Sequence, residues 1–261
     1  MRRALSVFIL LLAAAGLLPA HASSLRIATG ELPPYATASR PDQGVALQIV
    51  RRAFELAGHE VTYHFLPWSR AQQETLAGRW DATAYWGASD QRRRDFLLSD
   101  NVLTEQWVIV HRRELAVDWR QLADLKPWRI GVIRDYTYTP EFWALVKAGT
   151  LQTDNTPDDL LGLRKLLAGR IDLIPMERNV ACDLLARNFS NAEAARLAAH
   201  PRLLTDSFTT HLMLPPQLPA SRTLLEAFNR GLASLKASGE HARILASVRC
   251  PRDWNNGVKH P

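Results

Sequence analysis

The chain has 261 residues, of which 47% are hydrophobic and 22% are charged, so it can bury the core of one large domain or of two ordinary ones. This composition excludes a disordered or low-complexity chain. The formal net charge of +6 invites a nucleic-acid hypothesis, which the first residues then weaken.

The N-terminus has the pattern of a Sec-type signal peptide. Two arginines precede an apolar run over residues 4–18, and residues 19–22 (PAHA) supply a cleavage site of small residues. The run is shorter than the roughly 20 residues that span a bilayer, and an uncleaved membrane anchor is the alternative. Cleavage after Ala22 removes both arginines and lowers the formal charge from +6 to +4, too mild to favour a nucleic-acid partner.

The sequence after residue 22 predicts a soluble periplasmic protein. No cysteine follows the cleavage site to carry a lipid, and no later segment is long and apolar enough to span a membrane. The two cysteines of the chain are Cys182 and Cys250. An oxidising compartment favours a disulfide between them, and two buried, unpaired thiols are the open alternative.

Strands and helices alternate along the chain, a pattern that predicts an α/β fold with a largely parallel sheet. The first set has predicted strands at 25–29, 61–65, 80–84 and 107–110 and predicted helices at 45–57 and 69–77. Over residues 45–57 the apolar side chains recur at helical spacing, and Gly58 is placed to end that helix.

A second set of elements begins near Arg129. It has predicted strands at 129–133 and 171–174 and predicted helices at 141–148, 156–168 and after Glu177. Residues 156–159 (TPDD) are typical of a helix start, with Thr156 as the N-cap and a proline in the first helical position. Beyond Leu212 the sequence predicts one more strand and helices at 221–236 and 240–248.

One short segment occurs twice. Residues 76–82 (LAGRWDA) and 167–173 (LAGRIDL) both have the pattern of a helix end, a glycine stop and a strand start. Two such copies 91 residues apart indicate two similar α/β lobes. The alternative is the chance recurrence of a common helix-to-strand turn.

Catalytic and metal-binding motifs are missing from the sequence. It contains no GxSxG, HExxH, Walker or GxGxxG motif and no His or Cys cluster with the spacing of a metal site. We therefore expect no catalytic residue, no metal and no cofactor.

Polar and aromatic residues follow five predicted strands, at the strand ends where open α/β sheets bind ligands. The segments are 30–35 (GELPPY), 67–70 (PWSR), 85–92 (YWGASDQR), 134–138 (RDYTY) and 175–178 (PMER). Aromatic rings supply apolar contact area, while arginines and carboxylates can orient a small polar molecule. The candidate ligand-binding residues are Glu31, Tyr35, Trp68, Tyr85, Trp86, Arg92, Tyr136, Thr137 and Glu177.

Arg92 is the strongest single candidate because a guanidinium matches a carboxylate with two parallel hydrogen bonds. The alternative is an ordinary surface arginine within the charged run 92–95 (RRRD). Glu177 could accept a hydrogen bond from a ligand ammonium or hydroxyl, or could simply cap the helix that follows it. For Trp68, Trp86 and Tyr35 the alternative is a place in the core.

In their order and spacing these segments resemble the periplasmic solute-binding proteins of family 3, the type II class that serves polar-amino-acid ABC transporters. The resemblance covers residues 25–250. Its marks are PPY at 33–35, Gly44 before the first helix, the Gly-x-x-Asp turns at Gly78 and Gly169, SDQR at 89–92 followed by LSD at 98–100, and LADLKPWRIGVI at 122–133. It implies a two-lobed α/β fold, each lobe a mixed, mostly parallel sheet flanked by helices, with the ligand cleft between the lobes.

The resemblance also implies roles for four of the candidates. Arg92 falls on the arginine that clamps the α-carboxylate in amino-acid binders, and Glu177 falls on the acid that receives the α-amino group. Tyr35 and Trp68 lie in segments that line the family's cleft.

Three parts of the sequence depart from the family pattern. Residue 177 is Glu where Asp is usual, Tyr85 and Gly87 stand where small hydroxyl residues are common, and residues 135–137 (DYT) replace a Gly-Thr-Thr turn. These departures leave the ligand open among amino acids and related carboxylates or amines.

The resemblance implies that residues 24–110 and 212–261 form lobe one and residues 111–211 form lobe two, with a hinge near 111–113 and 211–214. It implies a monomer that closes on a small-molecule ligand and is then recognised by an ABC-transporter permease. One rival is an enzyme similar to the cyclohexadienyl dehydratases, with Glu177 as a general acid or base. A second rival is a sensory ligand-binding module.

Overall fold

The computed structural model describes residues 24–133, 136, 138–250 and 254 of the chain. The predicted signal peptide at 1–22 lies outside the described residues. Among the helices of the described part, none combines the length and the apolarity that crossing a bilayer requires.

Eight elements make up the first part of the chain. They are β1 (Leu25–Thr29), α1 (Val45–Leu56), β2 (Val61–Phe65), α2 (Trp68–Leu76), β3 (Ala82–Gly87), α3 (Asp90–Asp95), β4 (Leu97–Leu98) and β5 (Leu103–Arg112). The strand predicted at 80–84 is wrong at both ends, because Asp81 belongs to the turn before it and donates its N–H to Arg26 O at 3.0 Å. Helix α3 was not predicted.

The second part begins with a 3-10 turn at Leu122–Leu125. The elements that follow are β6 (Arg129–Ile133), α4 (Pro140–Lys147), β7 (Gln152–Thr156), α5 (Asp159–Leu167), β8 (Leu173–Glu177), α6 (Arg178–Asn188), α7 (Asn191–Ala194), β9 (Leu197–Leu214), α8 (Ser221–Ala237) and α9 (Glu240–Leu245). The strand predicted at 171–174 lies two to three residues too early.

Two predictions in this part are wrong. The N-cap of α5 is Asp158, whose carboxylate accepts the N–H of Leu161 at 2.7 Å, and Thr156 instead ends the unpredicted strand β7. The strand expected beyond Leu212 lies before that point, as β9, and no strand follows Leu214 in the described residues. Both strands are rich in polar residues, so pairing with neighbouring strands, not an apolar pattern, makes them strands.

The sheet runs in the order β2-β1-β3-β9-β5-β8-β6-β7, and β4 pairs with β9. Pairing is parallel around β1 and around β6, whereas the long strands β5 and β9 are antiparallel to each other in the middle. The protein is thus a two-lobed α/β structure. We call the part around β1–β4, α1–α3, α8 and α9 lobe one, and the part around β6–β8 and α4–α7 lobe two.

The predicted residue limits of the lobes stay a prediction, but the strand register bears on the hinge. His111 pairs with Ala198, and Leu103 pairs with Thr210. The segments 111–113 and 211–214 therefore lie at opposite ends of the β5–β9 ladder and are not side by side.

The repeated turn has the same backbone conformation and the same hydrogen bond in both lobes. The glycine of each copy follows a helix end and has a positive φ, +75° in the first copy and +69° in the second. Asp81 then accepts the backbone N–H of Arg26 at 2.8 Å, and Asp172 accepts that of Arg129 at 3.0 Å. In each lobe the aspartate of the turn thus links the start of the following strand, β3 or β8, to the first strand of the lobe, β1 or β6, by a hydrogen bond. A chance repeat of the sequence would not predict this equivalence.

A disulfide joins Cys182 of α6 to Cys250, 68 residues later, with an S–S distance of 2.04 Å. Cys250 follows α9, so the bond fastens the end of lobe one to a helix of lobe two. Trp254 is buried in the same lobe-two cluster as Cys182. The cross-link therefore holds the C-terminal segment against lobe two.

Candidate functional site

A cavity of about 190 Å³ lies between the lobes, at the carboxyl ends of the parallel strands. From lobe one it is lined by Leu32, Trp68, Tyr85, Trp86, Gly87 and Arg92. From lobe two it is lined by Tyr136, Tyr138, Asp159, Glu177 and Val180, and from β5 and β9 by Glu105, Trp107, Phe208 and Thr210. The volume is below the range of about 300 to 1,000 Å³ typical of sites for drug-sized molecules, so the site suits a small metabolite.

Trp68 forms part of the lobe-one wall because the chain makes room for it at the end of β1. A Cβ on Gly30 would lie 2.2 Å from the Trp68 ring, so only glycine allows the indole to cover this strand end. The Trp68 and Trp86 rings meet edge to face, with centroids 5.2 Å apart. This contact gives the cavity a rigid apolar wall.

Tyr85 has the left-handed backbone conformation that residues with a Cβ rarely adopt, with φ at +68°. It lies where the pairing of β3 with β9 shifts register, between Thr83 and Trp86. Its ring stacks on that of Tyr35 with centroids 5.0 Å apart, and its hydroxyl donates to Glu105 at 2.6 Å. Irregular, strained strand positions of this kind are typical of functional sites.

Neutral groups hold Arg92 beside the cavity. Its backbone N–H donates to the N-cap Ser89, and its guanidinium lies 4.7 Å from the centre of the Trp86 ring. The guanidinium donates to Gly87 O at 2.9 Å and to Gln72 at 3.3 Å. Within the described residues no carboxylate pairs with it, and burial lowers its pKa. A partly buried cation is thus open to an anionic group in the cavity.

Glu177 ends β8 and caps α6, so it has both roles that the sequence left open. Its carboxylate accepts the N–H of Val180 at 2.9 Å and that of Gln106 at 3.4 Å. Burial raises the pKa of Glu177 to about 8, and the nearby charge of Glu105 adds to the effect. The carboxyl therefore lies in the cavity wall, and the donors around it in the described structure are backbone N–H groups and a hydroxyl.

Glu105 is a second buried carboxylate, on β5 between the two lobes. It accepts hydrogen bonds from the Tyr85 hydroxyl and, at 2.8 Å, from the Trp107 indole N–H. Burial raises its pKa. Glu105 thus connects an aromatic residue of lobe one with one that packs against lobe two.

Asp159, the first residue of α5, is a third carboxylate in the cavity wall. It accepts a hydrogen bond from the Tyr136 hydroxyl at 2.5 Å, and burial raises its pKa to about 6. In the part of the chain that the structure describes, no Lys or Arg pairs with Asp159, Glu105 or Glu177. No group of His, Cys, Asp and Glu side chains there is arranged to hold a metal ion.

Six of the nine predicted ligand-binding residues line this cavity: Trp68, Tyr85, Trp86, Arg92, Tyr136 and Glu177. Tyr35 lies behind Tyr85, fully buried, where its hydroxyl accepts a hydrogen bond from Asn179 at 2.9 Å. Glu31 is exposed and accepts the N–H of Ala38 at 2.8 Å, away from the cavity lining. Thr137 lies outside the described residues.

The sequence prediction missed several lining residues, above all Glu105, Trp107 and Asp159. The sequence places Asp159 only in the helix start at 156–159, whereas in the structure it follows the carboxyl end of β7 and lies at the cleft. Glu105 lies just before the predicted strand at 107–110, so a strand prediction extended by two residues would have drawn attention to it. Phe208 and Thr210 belong to the part of β9 that precedes Leu212, where the sequence predicted no strand.

The sequence matches the model of the bacterial extracellular solute-binding proteins, family 3, over residues 25–247. No curated protein sequence matches the chain.

Solved structures of the same fold match nearly the whole chain. A substrate-binding domain of a putative amino acid ABC transporter from Streptococcus pneumoniae has a TM-score of 0.67 at 20% identity, over 86% of this chain and 99% of that one. A Salmonella typhimurium periplasmic binding protein of high arginine specificity has a TM-score of 0.62 at 16% identity, over 86% and 98%. A histidine kinase sensor domain similar to periplasmic binding proteins has a TM-score of 0.65 at 20% identity, over 91% and 98%. At these identities the likeness concerns the fold alone.

Proposed function

Because the chain belongs to the bacterial extracellular solute-binding proteins of family 3, we propose that it captures a small solute with both a carboxylate and an amine in the cavity between its lobes. An amino acid or a close relative of one has this chemistry. The family and the structural neighbours are binding proteins, among them one with high specificity for arginine.

One observation carries the proposal: Arg92 and Glu177 line the same cavity from opposite lobes, and among the described residues neither has a partner of opposite charge. A ligand carboxylate on Arg92 would gain charge-assisted hydrogen bonds, and so would a ligand ammonium on Glu177. Because one contact lies on each lobe, a zwitterion would favour the closed arrangement over an open one.

We further propose that the protein works in the periplasm as a monomer and delivers its ligand to an ABC-transporter permease. The signal-peptide pattern at residues 1–22 and the disulfide between Cys182 and Cys250 support an exported protein. The histidine kinase sensor domain among the neighbours favours sensing as the second candidate role. Loss of ligand uptake in a deletion strain supports transport, whereas intact uptake with lost ligand-dependent signalling supports sensing.

The proposal also holds that the ligand leaves unchanged. The enzyme hypothesis assigns acid or base work to Glu177, whose pKa is raised by burial. Incubation with the ligand, or with prephenate and arogenate, followed by NMR should show a single unaltered compound. The appearance of product at a rate proportional to protein would show that the chain is an enzyme.

A thermal-shift screen of amino acids, organic acids, amines and small peptides tests the binding site. We expect the stabilising compounds to carry both a carboxylate and an amine. Arg92→Ala should abolish the ligand-induced rise in melting temperature, because it removes the cation of the cavity. Arg93→Ala is the matched control, since Arg93 is the exposed neighbour outside the lining. An unchanged shift in Arg92→Ala removes Arg92 from the site, and a screen without any stabilising compound contradicts the proposed function.

A further inference from the structure

The cavity wall carries more acidic than basic side chains. Among the described residues, Glu105, Asp159 and Glu177 line it together with one cation, Arg92. A zwitterion that uses Arg92 and Glu177 leaves Glu105 and Asp159 without a partner of opposite charge. These two carboxylates are therefore available to bind one more cationic group of the ligand.

The two remaining carboxylates lie on either side of one aromatic pair. The Trp107 indole donates to Glu105, and the Tyr136 hydroxyl donates to Asp159. The Trp107 and Tyr136 rings meet edge to face with centroids 5.9 Å apart. Burial raises the pKa of the Tyr136 hydroxyl, and the charges of Asp159 and Glu105 raise it further. Glu105 from β5 and Asp159 from α5 thus face the same region of the cavity.

Neutral donors alone stabilise these carboxylates in the described structure. Each carboxylate has about four acceptor positions, and the two aromatic donors use only a part of them. A cation placed between the carboxylates would add charge-assisted hydrogen bonds and the attraction of the electron-rich ring faces. A neutral ligand group there would leave two carboxyls buried without such compensation.

Resting on the proposed function, we infer that the ligand is a basic zwitterion whose second cationic group, an amine or a guanidinium, binds between Glu105 and Asp159. A second carboxylate on the ligand would face these two acids and be repelled. A polyamine without a carboxylate would leave Arg92 unpaired. The class is therefore a small molecule with one carboxylate and two cationic groups.

Isothermal titration calorimetry, which measures the affinity for each member of two pairs of compounds, tests this inference. Arginine is compared with citrulline, which has a similar shape and a neutral end group, and lysine is compared with norleucine. We expect the wild-type protein to bind at least one cationic member about tenfold or more tightly than its neutral counterpart, as a hydrogen bond to a charged group predicts. Asp159→Asn and Glu105→Gln should each reduce that preference by about tenfold, because they remove one of the two charges.

Asp158→Asn is the matched control. It removes the same charge from the adjacent, exposed residue, and asparagine keeps the N-cap of α5. This variant should keep the wild-type preference. Melting temperatures without ligand show which variants fold, and either of the two cavity variants suffices for the test.

The outcomes separate the inference from the function on which it rests. Equal binding of charged and neutral partners, or an unchanged preference in a folded Asp159→Asn or Glu105→Gln variant, overturns the inference and leaves the function in place. Binding of the neutral compounds alone does the same. If none of the four compounds binds, the inference is overturned. If, in addition, no compound of the thermal-shift screen stabilises the protein, the proposed function is overturned as well.

Discussion

The two lobes share a turn but are held together by different means. In lobe one, α1 packs on α8 around Phe54 and Phe228. The repeated turn of this lobe contains a loose, solvent-exposed ion pair between Arg26 and Asp81, with a nitrogen–oxygen distance of 4.0 Å. In lobe two the equivalent Asp172 pairs with both Arg112 and Arg129, at 3.2 and 3.0 Å. The disulfide also reaches lobe two. Apolar packing thus dominates one lobe, while charge and a covalent bond reinforce the other.

The same contrast extends to the cleft. Lobe one contributes its cation, Arg92, and lobe two contributes the carboxylates Asp159 and Glu177. A repeated scaffold therefore presents opposite charges across one cavity. This asymmetry suits a ligand whose own charges are separated, because each lobe then binds a different end of it.

The largest expected effect concerns the cross-link. The double variant Cys182→Ser, Cys250→Ser should lose about 4 kcal/mol of unfolding free energy, as the release of a loop of 68 residues predicts. Denaturant unfolding measures the loss. A reducing agent should destabilise the wild-type protein and leave the double variant unchanged. A double variant as stable as the wild type would show that lobe two does not depend on the bond.

The next largest effect is a dependence of ligand affinity on pH, which we expect Glu177 of lobe two to cause. With a pKa of about 8, Glu177 keeps its proton at pH 7 and must release it to bind an ammonium group. Affinity for the ligand should therefore rise as the pH increases from 6 to 8, by up to about tenfold per unit. Titration calorimetry in buffers of different ionisation enthalpy should detect proton release. Glu177→Gln should release fewer protons than the wild type at pH 7, and an unchanged release there would assign the proton to another group.

The effect of Glu177 on folding has the opposite sign to its effect on binding. Its raised pKa means that the folded chain holds a proton that the unfolded chain releases above about pH 4.5. Its contribution to stability is therefore fully present below that pH and is lost as the pH rises towards 8. The melting temperature without ligand should fall over this range in the wild type and fall less in Glu177→Gln.

The smallest effect compares the two repeated turns. Arg129, together with Arg112, lowers the pKa of Asp172 to about 2, so Asp172 stabilises the fold above about pH 4 and loses this effect as the pH falls towards 2. Asp172→Asn should cost about 1 kcal/mol more than Asp81→Asn, whose ion pair is exposed. Both asparagines can still accept the backbone hydrogen bond. The difference between the unfolding free energies of the two variants at pH 7 therefore reports the contribution of the two carboxylate charges. Equal losses would mean that the turns are equivalent in energy.

The sequence predicted best the elements that have a pattern of their own. Strands β1, β2 and β6 have the predicted bounds, because runs of apolar and β-branched residues define them. Helix α1 ends one residue before the predicted end, because apolar residues at helical spacing and a glycine stop define it. Strand β7 and most of β9 were missed because β7 has no apolar residue, polar residues interrupt the apolar ones of β9, and partner strands hold both in place. Local sequence cannot show such pairing.

The site divides in a similar way. Arg92 and Glu177 follow strand ends in recognisable segments, so they could be named from the sequence. Glu105 and Asp159 could not, since only the fold brings β5 and the start of α5 to the same aromatic pair. Glu31 follows a strand end as well, yet the local turn binds its carboxylate away from the cavity. Position after a strand is therefore a useful but incomplete guide.

A crystal structure of the protein with the compound that stabilises it most in the thermal-shift screen tests the central claim most directly. We predict that the ligand lies between the lobes, with its carboxylate on Arg92, an ammonium on Glu177 and a second cationic group between Glu105 and Asp159. A ligand bound outside this cavity, or one that leaves Arg92 in contact only with Gly87 and Gln72, would contradict the proposed site.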